Sequence, residues 1–172
     1  MKVFTTSDHH FNHVNIIKFQ GDHRPFESVE EMNAVMIARW NEVVMPNDWV
    51  IHVGDFALGQ AHHVSDFVGQ LNGNIVLIRG NHDRNQRFCY NAGFKVVLNR
   101  LQINDILFTH KPQTPDKLKD ILYNFHGHTH KKEAKNSDPA HVNICVEVTN
   151  FYPIDITELI SADQLRRCVG CG

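Results

Sequence analysis

Three short apolar runs, Val3 to Thr6, Trp49 to Val53 and Ile75 to Ile78, each stop abruptly at polar residues, and helix-like stretches lie between them. The first such stretch opens with the capping box Ser28-Val-Glu-Glu31. It continues with Met32, Val35, Met36, Trp40 and Val43 at helical spacing and stops at Pro46-Asn47-Asp48. The second places Ala61, Val64, Val68 and Leu71 on one face and ends at Asn72-Gly73. Strands that alternate with helices pair in parallel through right-handed crossovers. Their C-terminal tips then share one edge of a sheet, and residues far apart in sequence converge there.

Beyond Gly93 the pattern changes. Phe94 to Leu98, Leu101 to Ile103 and Ile106 to Thr109 read as short strands with a hairpin turn at Asn104-Asp105, and Tyr123 to His126 and Val142 to Val148 read as two more. Ser161-x-x-Gln164 is expected to cap a last short helix. About nine or ten strands with a few helices predict an α/β fold of two packed mixed β-sheets flanked by helices. No repeat, low-complexity tract or linker interrupts the chain, so residues 1–172 are read as one domain.

The strand tips carry the chemistry. Asp8 and His10 follow the first strand, Asp55 the second and Asn81 to Asp83 the third, with His110, His128 and His130 after later ones. Gly54, Gly80 and Gly127 accompany them, where a backbone must turn sharply or approach closely. Any one of these residues alone reads as a turn or cap residue. Together, seven oxygen and nitrogen donors exceed the three or four protein ligands of a mononuclear site, which implies two divalent metal ions. Imidazole, carboxylate and amide donors without thiolate suit Mn, Fe, Zn or Ni.

The 13 His of the chain far exceed what packing needs, and this cluster accounts for many of them. The four Cys are scattered, as expected of free thiols in a reducing compartment, and the Cys168/Cys171 pair, with no second pair to complete a site, is read as a tail. No apolar run approaches the roughly 20 residues of a membrane span, and Met1 to Asp8 has no signal-peptide core, so a cytoplasmic location is expected. A net charge of -2 is not the footprint of a protein that grips long nucleic acids.

In order and spacing, Asp8-x-His10, Gly54-Asp55, Gly80-Asn-His-Asp83, His110 and Gly127-His-x-His130 resemble the five motifs of the calcineurin-like metallophosphoesterase superfamily. Ser7 to His13, Arg24 to Phe26 and Glu31 to Asn33 are similar to stretches in its small, cap-less members from prokaryotes and their viruses. The resemblance implies one metal held by Asp8, His10 and His130 and a second by Asn81, His110 and His128, with Asp55 bridging. It implies a hydroxide between the ions attacking phosphorus, with His82 as general acid or phosphoryl-oxygen donor, oriented by Asp83. His13, Arg24 and Lys111 become candidate contacts to substrate phosphate.

His9 is expected to point away from the metals if the stretch around it is extended, and so to stand behind the ligands or in the pocket. His126 reads as a sheet residue, and His23, His52, His62, His63 and His141 as background. Met32, Met36 and Trp40 read as core. The function expected from these residues is a dinuclear phosphoesterase acting on a small phosphodiester. The alternatives are a phosphomonoesterase or nucleotidase, a nuclease, and a non-catalytic scaffold of the same fold.

Overall fold

Alternation along the strands decides which side of each layer is filled. A computed structural model of the chain describes residues 1–132 and 137–160, so the expected helix cap at Ser161 and Gln164 and the Cys168/Cys171 tail lie outside the described residues. The elements are β1 (Val3–Thr6), α1 (Val14–Phe19), α2 (Val29–Val43), β2 (Trp49–His52), α3 (Ala61–Gln70), β3 (Asn74–Ile78) and α4 (Gln86–Asn91). They continue with β4 (Val96–Leu98), β5 (Leu101–Ile103), β6 (Ile106–Thr109), β7 (Tyr123–His126), β8 (His141–Asn143) and β9 (Ile154–Asp155).

One sheet has the order β4-β3-β2-β1-β9 and the other β5-β6-β7-β8. In the first, β1 to β4 are parallel and β9 joins antiparallel; in the second, only the β5–β6 hairpin is antiparallel. Both sheets are therefore mixed, as the sequence predicts. Asn104, with φ 53°, takes the left-handed position of the β5–β6 turn.

Successive strand residues face opposite ways. In β2 and β3, Val50, Ile75 and Leu77 pack with Met32, Met36, Trp40 and Val64 under the helices, while Ile51 and Ile78 pack with Phe108, Phe125 and Ile144 between the sheets. The strands are covered on both faces, which explains their continuous apolar runs. Helix α2 starts at the expected box: Ser28 Oγ accepts from Glu31 N at 3.1 Å, while the Glu31 carboxylate accepts from Glu27 N rather than from Ser28 N.

One expected strand is shorter than predicted. Of Val142 to Val148 only the start belongs to β8; Ile144, Cys145 and Val146 are fully buried because they cross from one sheet to the other. A bridge from Ser7 to Cys145 and a bond from Val146 N to Ser7 O fasten the tips of the two sheets together there. No helix among the described residues is long and apolar enough to cross a membrane.

Candidate metal centre

At the shared edge of the sheets, the loops leave their strands in a backbone conformation that side chains seldom adopt. Asp8, His10, Asp55, His128 and His130 have φ of 61°, 52°, 55°, 68° and 51°. Each such residue costs about 1–3 kcal/mol and persists only where its surroundings enforce it. Here they do: Asp8 N bonds Gly54 O, His10 N bonds Asp55 O, and Gly127 N bonds His110 O, so neighbouring tip loops hold one another. The turn through Asp8 and His10 sends their side chains into the cleft and His9 into the core. His9 points away as expected, although the segment is not extended, and it lies in the core against Phe11 and Trp40 rather than in the pocket.

The carboxylate of Asp8 is divided between two tasks. Its Oδ2 accepts from His128 N at 2.9 Å, from the Cys145 thiol at 3.3 Å and from Ser7 Oγ. Its Oδ1 is buried without a partner, 3.8 Å from the equally unpartnered Nε2 of His10. Asp55 divides likewise: Oδ1 accepts from His82 N at 2.8 Å, while Oδ2 lies 3.7 Å from His10 Nε2 and 3.3 Å from His110 Nε2. Two clusters result, Asp8-His10-His130 and Asp55-His110-His128, each with its donor atoms within 4.8 Å of one another. Asn81 joins the second, with Oδ1 3.0 Å from His110 Nε2.

These atoms fit cations. A buried carboxylate oxygen and a buried ring nitrogen with nothing to bond are costly unless an ion or proton meets them. Burial pushes the Asp8 carboxyl upward and drives the His10 imidazolium down to about 2, so His10 is a neutral donor with a free lone pair. For His110, burial opposes the charge, yet the Asp55 and Asp8 carboxylates hold its second proton up to about 9. Asp55 is held below the usual carboxylate range, because the His110 bond and charge outweigh its burial. His110 Nε2 thus faces Asp55 Oδ2 and Asn81 Oδ1 together, and these three atoms would hold a cation between them.

Two ligand rings are aimed from behind. His110 Nδ1 lies 2.9 Å from Val53 O, and His130 Nδ1 lies 2.7 Å from Glu147 Oε1, which leaves each Nε2 toward the cleft. Two glycines keep the carboxylates in place: a Cβ on Gly80 would strike Asp55, and one on Gly127 would strike Asp8 and Ser7.

The other predicted site residues divide. The exposed His82 ring stands at the cleft mouth, 5.2 Å from the His10 ring and 6.1 Å from that of His13. Asp83 does not orient it. The Asp83 carboxylate instead accepts from Gly80 N, Asp55 N and Phe56 N at 2.7, 2.8 and 3.0 Å, and so it shapes the loops that carry Asn81 and Asp55. His13 is half-buried, with Nδ1 3.4 Å from that of His10, and Lys111 is exposed beside the site.

Arg24 cannot contact substrate phosphate. It is fully buried, with Nε and Nη2 at 2.7 and 2.6 Å from Glu147 Oε1. Glu147 escapes the sequence reading because its partners lie far away in the chain and nothing near it marks a site.

The model of the calcineurin-like phosphoesterase superfamily domain matches residues 1–146. The chain belongs to this superfamily. Members are usually metal-dependent phosphoesterases, typically with two divalent metals, and the two ligand clusters agree with that pattern. An uncharacterized protein of Methanocaldococcus jannaschii is 35% identical to this calcineurin-like chain, covering 98% of it and 96% of the relative. A protein of unknown function from Aquifex aeolicus has the same fold, with a TM-score of 0.75 at 23% identity, covering 94% of this chain and 98% of that one.

Proposed function

We propose that this calcineurin-like protein hydrolyses small phosphodiesters with two divalent metal ions, Mn, Fe, Zn or Ni being suited to its donors. The observation that carries the reading is the buried, partnerless pair Asp8 Oδ1 and His10 Nε2, with Asp55 Oδ2 reaching toward both clusters. When bound, two such cations neutralise phosphoryl oxygens and acidify a water enough to act as a nucleophile.

The protein's own residues supply the rest. The loop of His82 is tied to Asp55 through the His82 backbone N–H, which keeps the imidazole at the mouth, where it donates a proton to the leaving oxygen. A groove of about 410 Å³, lined by Gln20, Lys111, Thr129 and Lys132 beside His128 and His130, adjoins the clusters. It gives room for a second ester substituent, and its two lysines attract a phosphate group.

The test is turnover of an activated aryl phosphodiester, and of the matching monoester, by metal-free protein supplied in turn with Mn, Fe, Zn, Ni and Mg. Diester hydrolysis dependent on added metal is expected. No turnover with any metal overturns the reading in favour of a scaffold, and faster monoester hydrolysis overturns the diester assignment.

A further inference from the structure

We infer that Arg24 and Glu147 are a buried positioning pair that sets the metal affinity of the Asp8-His10-His130 cluster alone. The inference rests on the two-metal reading above. Each arm of Arg24 reaches this cluster or its partner, and Nη1 in addition donates to Met32 Sδ at 3.5 Å. Nη1 donates to His9 O at 2.8 Å and Nη2 to Asp8 O, so the guanidinium holds the two carbonyls of the left-handed turn that aims Asp8 and His10. Nε and Nη2 also hold Glu147, whose same Oε1 takes His130 Nδ1. A single guanidinium–carboxylate contact thereby couples the loop after β1, in one sheet, to the loop after β7, in the other. These two loops provide the three donors of one cluster.

The second cluster is supported differently. His110 rests on the backbone carbonyl of Val53, Asp55 on the His82 N–H, and neither touches Arg24 or Glu147. A fully buried ion pair is a poor source of stability, since apolar residues of like volume often serve as well. The geometry gives this one a different task. A carboxylate behind a ligand imidazole fixes its tautomer and raises its basicity, and losing such a partner lowers metal affinity by about 10–100-fold.

The experiment is Mn titration of metal-free protein by calorimetry, with electron paramagnetic resonance of the unbound ion, on wild type and Glu147→Gln. The amide keeps the shape of Glu147 and removes its charge. Wild type is expected to bind two ions; in the variant one of them weakens 10–100-fold and the other changes by less than about threefold. To assign the site, Glu147→Gln is repeated in His110→Ala, which leaves the Asp8 cluster, and in His10→Ala, which leaves the other. Weakening is expected only in the first. Glu147→Asp should restore part of the affinity.

If Glu147→Gln does not fold, Arg24→Met/Glu147→Met removes both charges together, and the same selective weakening is expected. Wild type binding two ions, with either folded variant binding both equally well or weakening both alike, overturns this inference alone. Wild type that binds no divalent cation overturns the two-metal reading and the inference with it.

Discussion

Asp55 has one carboxylate oxygen facing donors of both clusters, so its removal strips each site and leaves their charges uncompensated. Asp55→Ala is therefore expected to lose activity and most bound metal, and metal analysis checks it: two equivalents retained per chain would refute the bridge. His82→Ala, in contrast, should keep both metals and lower kcat by roughly 100 to 10,000-fold if the ring acts as general acid. The loss should be smaller for nitrophenyl than for alkyl leaving groups; an equal loss would mean that His82 binds the phosphoryl group instead. The cluster of metal-capable residues was legible because strand tips carry it and its members recur in order. The supports behind it were not. Asp83 is one letter from a plausible catalytic partner, yet its oxygens are consumed by three backbone N–H groups. Arg24 reads as a phosphate contact because its partner lies 123 residues away, and only the fold shows them to be neighbours.

Among the helices, those long enough to repeat an apolar face, α2 and the ten-residue α3, were readable and the short ones were not. Helix α2 buries Val29, Met32, Met36 and Trp40 and announces itself with its cap, whereas the six-residue helices α1 and α4 each bury a single residue, Ile16 and Cys89. One buried position cannot show a 3.6-residue period. Strand β9 is two residues long and exists only through its pairing with β1. The overlong reading of Val142 to Val148 has the opposite cause: Ile144, Cys145 and Val146 are apolar because the crossing between sheets is dry, although they form no ladder. The Ser28 cap offers a test confined to one element. Ser28→Ala should lower stability by about 1 kcal/mol, seen as an equal fall in the unfolding free energy of metal-free and metal-loaded protein. Changed metal content in that variant would show that the start of α2 is coupled to the site, contrary to the exposed position of the cap.

At the scale of the whole molecule, the metal loop is bound to the core through a pair of neutral histidines. His9 and His52 are fully buried among Phe11, Trp40 and Phe56, with His9 Nδ1 2.9 Å from His52 Nε2. Neither His9 Nε2 nor His52 Nδ1 has a partner, so a proton added to either ring would be buried without compensation. Burial drives both imidazoliums down, His52 to about 3; Asp55 partly opposes this at His52, while the Arg24 charge reinforces it at His9. Unfolded, both rings titrate near the ordinary value of about 6.5. The unfolded chain therefore binds more protons below that pH, and the stability contributed by keeping the rings neutral is fully present above about 6.5 and is lost as pH falls toward the folded value. Each such group contributes a gradient of up to about 1.4 kcal/mol per pH unit across that window. Urea unfolding of metal-free protein at pH 7, 6, 5 and 4 should show stability falling with acid, and His52→Leu should fall less steeply, by about one proton, between pH 5.5 and 4. His10 and His126, held near 2 and 4, remain in both proteins, so the difference between the two slopes reports on the His9–His52 pair. Parallel slopes would mean that the buried pair carries no proton linkage and that acid sensitivity arises at the strand tips alone.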